Sequence, residues 1–163
     1  MPLFLEQNTD NQGKLAVWQV TESAEELLRL LPDGVQEQGL RKALPNETLF
    51  RQRLASRILL SRILQKDQLE LGVAGAKRTV LLQPQVQMSI SHAGIFAAAM
   101  VSHEAKCGID IEEINPRIKN IAPRFMHEQE WHYLQDKEDY RTLMLIWSVK
   151  ESVFKYTKRG CGI

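Results

Sequence analysis

The order of strand-like and helix-like stretches along the 163 residues fits an α+β fold. Three observations carry that reading. Residues 1–20 have the make-up of a hairpin. A stretch from about Glu47 to Gln65 repeats its apolar residues at helical spacing. Met88–His92, Ile95–Val101 and Gly108–Glu112 read as three consecutive neighbouring strands, the first and third by strict alternation and the second as a buried apolar run of small residues.

Taken in order, Met1–Leu5 and Leu15–Val20 flank a turn at Asp10-Asn11-Gln12-Gly13. Ser23 and Glu26 have capping-box spacing ahead of Leu27, Leu28, Leu30 and Leu31, and Pro32-Asp33-Gly34 stops that helix. A second short helix is expected from about Val35 to Ala43. Asn46 caps the long helix, whose apolar stripe is Phe50, Leu54, Ile58, Leu59 and Ile63, with Arg51, Arg53, Arg57 and Arg62 off or beside it. Residues 66–78 read as a loop, and Thr79–Leu82 as a short strand broken by Pro84. Pro116 and Pro123 punctuate another loop, followed by a short helix over about 127–134. The last helix is expected over about 139–158, with Leu143, Ile146, Trp147 and Phe154 forming most of its apolar face and Gly160 and Gly162 ending it.

Composition sets the bounds. A net charge of +1 gives no overall field that would draw in nucleic acid or an acidic membrane. No stretch approaches a membrane span, no signal peptide opens the chain, and the two cysteines, Cys107 and Cys161, have neither metal nor disulfide-framework spacing. The expected location is the cytoplasm. No internal repeat or low-complexity segment interrupts the chain.

Chemistry concentrates in two places. In Gly108-Ile109-Asp110-Ile111-Glu112, strand alternation puts both carboxylates on one face, roughly 6.6 Å apart at ~3.3 Å per residue. Two acids at that spacing can reach one hard cation, and Mg²⁺ suits them because it keeps positions for water and phosphate. Taken alone, an acid-x-acid strand is ordinarily a solvated edge. On the last helix Trp147, Glu151 and Lys155 fall at i, i+4 and i+8, one stripe that starts in the core. Lys150, next to Glu151, points about 100° away around the helix and reads as a surface charge.

Together these residues resemble the Sfp-type 4′-phosphopantetheinyl transferases. The family pattern is Gly-(Ile/Val)-Asp, about forty residues, then (Phe/Trp)-(Ser/Cys/Thr)-x-Lys-Glu-(Ala/Ser)-x-x-Lys. Gly108, Ile109, Asp110, Trp147, Ser148, Lys150, Glu151, Ser152 and Lys155 match it position by position. The resemblance runs from about residue 40 to the end. It implies an α+β fold of two similar subdomains related by a pseudo-twofold, here 1–104 and 105–163, with coenzyme A between them. It implies Mg²⁺ on Asp110, Glu112 and Glu151, and a phosphate-contacting Lys155. Ser91 and His92 would meet the nucleotide phosphates of coenzyme A, and either Glu130 or a metal-bound water would be the base. Arg51 would be the coenzyme-binding arginine, with Arg57 its competitor. Gly75-Ala76-Lys77-Arg78 is the nearest match to a Gly-(Lys/Arg)-Pro loop that touches the nucleotide, which puts Lys77 and Arg78 there.

The implied activity moves the 4′-phosphopantetheine arm of coenzyme A onto a serine of an acyl or peptidyl carrier protein, in fatty-acid, polyketide or nonribosomal peptide synthesis, releasing 3′,5′-ADP. The alternatives are an inactive module that binds coenzyme A or a carrier protein, and a plain Mg²⁺-dependent phosphotransferase. The second lacks a P-loop or kinase-like signature. In the family, further strands follow the last helix and complete a sheet, the cover that Leu143, Ile146, Trp147 and Phe154 need, so the second subdomain is expected to be incomplete here and either the natural polypeptide continues past Ile163 or another copy supplies the cover. The 163-residue chain alone should then be a poor enzyme, and the full-length protein a monomer.

Overall fold

The computed structural model describes residues 3–9, 13–31, 46–66, 71–74, 78–81, 86–136 and 138–157. Strands β1 (Leu3–Thr9) and β2 (Gly13–Gln19) pair antiparallel. Helix α1 (Ala24–Arg29) opens on the expected capping box: the Glu26 amide donates to Ser23 Oγ, and the Glu26 carboxylate accepts from the Ser23 amide. Helix α2 (Glu47–Lys66) is capped by Asn46, whose Oδ1 accepts from the Leu49 amide at 2.9 Å. A small hairpin of β3 (Leu71–Ala74) and β4 (Arg78–Leu81) follows. Then β5 (Gln87–Ala93) and β6 (Phe96–Ser102) form a hairpin that closes the main sheet in the order β1-β2-β6-β5.

The main core lies between this sheet and α1–α2. Ala16 and Trp18 of β2 and Ala97, Ala99 and Val101 of β6 meet Phe50, Leu54, Ile58, Leu59 and Ile63 of α2, all buried. Each of the large side chains contributes about 1.5–3 kcal/mol by leaving water. The alanines of β6 let α2 lie close to the sheet.

A second, smaller core holds the C-terminal part. Helix α3 (Ile118–Phe125) and helix α4 (Tyr140–Thr157) bury Ile118, Ala122, Met126, Leu143 and Met144 against one another, and the 3₁₀ turn Glu128–Tyr133 lies between them in sequence.

Several expectations are corrected. The stretch read as a loop between Pro116 and Pro123 contains α3, with Pro123 inside it. Ile118, Ala122 and Met126 fall at i, i+4 and i+8, and burying that stripe outweighs the missing proline N–H. Helix α3 therefore covers Leu143, for which a sheet was expected. Phe154 is 40% exposed, and Leu145, Val149 and Val153 form an exposed stripe on α4. Leu71–Ala74, read as loop, is a strand. The short helix near 127–134 is a 3₁₀ turn.

The most consequential correction is Gly108–Glu112, which is not a strand. Side chains satisfy its backbone in place of a ladder: the Ile109 amide donates to Ser89 Oγ at 3.0 Å, and the Ile109 carbonyl accepts from Lys155 Nζ at 3.2 Å. The expected turn at 10–12, the helix at 35–43, Lys77 and residues 158–163 lie outside the described residues.

Candidate active site

Alternation along β5 divides the site. Met88 and Ile90 pack toward the α2 core, so Ser89 and Ser91 face the other side of the sheet, where residues 107–110 cross it. Buried Cys107 donates weakly to the Met100 carbonyl there, and burial pushes its thiol up to about 12, so its role is packing.

Gly108 sets how closely that segment meets α4. A Cβ at this position would collide with the backbone carbonyl oxygen of Ser152 and the amide of Tyr156. The contact is with main chain, so no rotamer could relieve it. The absent side chain brings Asp110 within reach of α4.

Around Asp110 the contacts close into a ring. Lys155 Nζ lies 2.7 Å from Asp110 Oδ1 and also donates to Ser91 Oγ at 3.0 Å, while the Ser91 hydroxyl donates to the same carboxylate oxygen at 2.8 Å. The two charged side chains are only 14% and 4% exposed. Asp110 Oδ2 is buried without a hydrogen-bond partner among the described residues. A buried carboxylate oxygen in that state is poorly satisfied by the protein alone.

Glu112 stands beside this ring. It accepts from Trp147 Nε1 at 3.2 Å. Burial raises its carboxyl above the ordinary range. The Trp147 bond opposes that rise, and the negative charges of Asp110 and Glu151 add to it. Half-buried Glu151 sits one turn after Trp147 on α4, close enough for its charge to be felt at Glu112. Among the described residues, no three His, Cys, Asp or Glu side chains form a ready metal-ligand group. The three acids share a neighbourhood without converging, and Lys155 holds one oxygen of the first.

His92, one residue after Ser91, points to the α2 side of the sheet. Burial lowers its pKa, and the nearby charges of Arg53 and Lys155 lower it further. Arg53 is thus the α2 arginine whose charge reaches His92. Arg51, preferred on resemblance, instead donates to the Val20 carbonyl at 3.3 Å. Arg57 is buried, with its Nη1 on the Arg53 carbonyl at 3.4 Å. Residue spacing on one helix could not rank these arginines; the facing strand does.

Glu130 is held by two partners. Its Oε2 accepts from the His127 amide at 2.6 Å and pairs with Lys150 Nζ at 2.5 Å, and the Lys150 interaction leads in depressing its carboxyl. Lys150 also donates to the Phe125 carbonyl. Helical spacing alone makes it a surface charge; the sequence signal for its role is its place three residues after Trp147, on the same side of α4.

Two open clefts meet at Glu112. One, of about 470 Å³, runs from His92 and Gly94 past Glu112 and Glu113 to Arg117, Met144 and Trp147. The other, of about 360 Å³, is lined by Asp110, Glu112, Ile114, Arg141, Leu145 and Ser148. Gly94, at φ 53°, makes the β5–β6 turn with the Glu113 carboxylate directly over it. Chemically, the site offers hard carboxylate oxygens, a fixed ammonium and a basic end toward α2. That set suits phosphate chemistry.

Residues 106–163 match the model of the 4′-phosphopantetheinyl transferase superfamily. The matched span contains Gly108, Asp110, Glu112, Glu130, Trp147, Lys150, Glu151 and Lys155. The chain is 35% identical over 83 residues to a 4′-phosphopantetheinyl transferase of Bacillus subtilis, covering 49% of this chain and 37% of that protein. It is 33% identical over 101 residues to the 4′-phosphopantetheinyl transferase psf-1 of Bacillus pumilus, covering 60% and 43% respectively. With the 4′-phosphopantetheinyl transferase gsp of Aneurinibacillus migulanus it shares 32% over 81 residues, 48% of this chain and 34% of that one. The chain thus spans about two-fifths of the length of these relatives. The resemblance to the Sfp-type family is borne out. The mixed α and β architecture with its antiparallel sheet is compatible with that family's fold. No helix among the described residues is long and apolar enough to cross a membrane.

Proposed function

We propose that this protein transfers the 4′-phosphopantetheine arm of coenzyme A to a serine of an acyl or peptidyl carrier protein and releases 3′,5′-ADP. The observation that carries the reading is the Asp110–Ser91–Lys155 ring with its unpartnered carboxylate oxygen, set beside Glu112 at the mouth of a cleft that ends at His92.

The acids fit a hard dication. Asp110 Oδ2 is buried and unpartnered, and Glu112 is pushed up by burial and by its acidic neighbours, both of which a cation would relieve. Asp110, Glu112 and Glu151 would hold Mg²⁺. When bound, it would offset the charge of the pyrophosphate.

The remaining roles belong to this chain's own side chains. Lys155 places a fixed cation at the phosphates. Ser91 orients Asp110 through its hydroxyl. His92, with Arg53 close enough for its charge to be felt there, would grip the 3′-phosphate of coenzyme A, which orients the donor rather than driving the chemistry. Glu130 takes the proton from the carrier serine as its oxygen attacks the phosphorus of the pantetheine phosphate. The P–O bond to 3′,5′-ADP breaks, and that phosphate leaves with the electron pair. The two subdomains, 1–104 and 105–163, would place these groups on either side of the donor, in a cytoplasmic enzyme that takes no nucleic acid.

A second reading is an inactive module that holds coenzyme A or a carrier protein. It draws on the lack of a ready three-ligand group among the described residues. Turnover separates the two. Incubation with coenzyme A, Mg²⁺ and a panel of apo-carriers should add one phosphopantetheine mass to a carrier serine. Coenzyme A binding without a mass gain on any carrier would favour the inactive module.

A further inference from the structure

One turn of α4 holds two carboxylates that lie far apart in sequence. Trp147 Nε1 donates to Glu112 Oε1 at 3.2 Å. Three residues on, Lys150 Nζ meets Glu130 Oε2 at 2.5 Å and also donates to the Phe125 carbonyl. Phe125 fills the space between: its ring meets the Trp147 ring edge-on at 5.0 Å, and the Lys150 ammonium stands 6.0 Å from its centroid. The order is Glu112, Trp147, Phe125, Lys150, Glu130, with each neighbour in contact. Lys150 belongs to the matched motif, yet nothing in the proposed chemistry uses it.

We propose that Lys150 is a positioning residue that seats the Glu130 carboxylate at a fixed place relative to Glu112. The inference rests on the reading of Glu130 as the base. Three features of the geometry carry it. Lys150 makes two directed bonds to one segment, so it fixes orientation as well as charge. The His127 amide donates to the same Glu130 oxygen, so two donors hold the carboxylate and it cannot swing freely. Trp147 and Lys150 share one helical turn, so the separation of the two acids follows α4 rather than the exposed turn Glu128–Tyr133. Lys150 and His127 are the charged groups that reach Glu130, and both favour its ionised form.

The test uses the full chain with K150M, K150R and E130Q, reading kcat, KM and the pH dependence of transfer, together with the Glu130 carboxyl titration by NMR without any ligand. K150M should lower kcat by about tenfold with little change in KM for coenzyme A, a loss of the size that misplacing a base produces. Its acid limb and the Glu130 titration should both move to higher pH. K150R, which keeps charge and donors, should recover most of the rate. E130Q should lose transfer without the K150M change adding to it. An unmoved Glu130 titration in K150M would overturn the positioning role while leaving the base reading intact. Near-normal transfer by E130Q would overturn both. If K150M does not fold, K150R decides: a Glu130 titration and rate far from wild type despite the retained charge and donors would contradict the proposal.

Discussion

The Lys155 ammonium lies 2.7 Å from one oxygen of Asp110, and the other oxygen of the same carboxylate is buried with no hydrogen-bond partner among the described residues. The carboxylate is therefore only half satisfied, in a site where both side chains are almost out of water. Replacing Lys155 with Met would leave that carboxylate buried without its cation. The expected loss is about 3 kcal/mol of stability, the scale for breaking a buried pair from one side. Urea unfolding of K155M and of the double variant D110N/K155M checks it. The double variant should regain part of the loss, whereas equal stability of wild type and K155M would mean the pair is solvated.

Gly108 is fixed by main-chain atoms of α4. Gly108→Ala should cost about 1–3 kcal/mol as overpacking and should displace α4 from Asp110. Thermal unfolding and the transfer rate should fall together. An unchanged midpoint with an unchanged rate would show that α4 can move aside freely.

His92 gives a pH dependence with a definite sign. Its folded-state pKa lies below the ordinary 6.5, first through burial and then through Arg53 and Lys155. The unfolded chain therefore takes up the proton first, so stability falls as pH drops below 6.5 and levels off once the folded form also titrates. A pH series of unfolding midpoints should show this slope in wild type and a flatter one in H92Q. The same residue should matter for the donor. His92→Ala should lower kcat/KM for coenzyme A far more than for dephospho-coenzyme A, and equal losses for both would remove His92 from the 3′-phosphate.

Arg53 and Arg51 make opposite forecasts. R53M should weaken coenzyme A binding, and R51M should leave binding near wild type while losing the bond to the Val20 carbonyl. Calorimetric titration of both variants decides between them. Weaker binding in R51M alone would restore the assignment made from the motif.

Much of this site was legible in sequence because it depends on local periodicity. The capping box at Ser23, the stripe of α2 and the line Trp147–Glu151–Lys155 follow directly from 3.6-residue spacing. The strand assigned to Gly108–Glu112 failed because alternation says which way side chains point and not what satisfies the backbone. Here Ser89 and Lys155, distant in sequence, do so. Helix α3 was hidden by Pro123, a breaker by propensity, and only the packing of Ile118, Ala122 and Met126 on α4 shows why it forms. Arg53 could not be told from its neighbours without β5 beside it, and Lys150 could not be told from a surface charge without Glu130.

The most direct measurement of the central claim is the single-turnover rate of transfer to an apo-carrier by Asp110→Ala and Glu151→Ala at saturating Mg²⁺, alongside wild type. Each variant should fold and lose nearly all transfer, because a site of three carboxylates loses both affinity and geometry with any one of them. Transfer at near wild-type rate by either variant would contradict that claim.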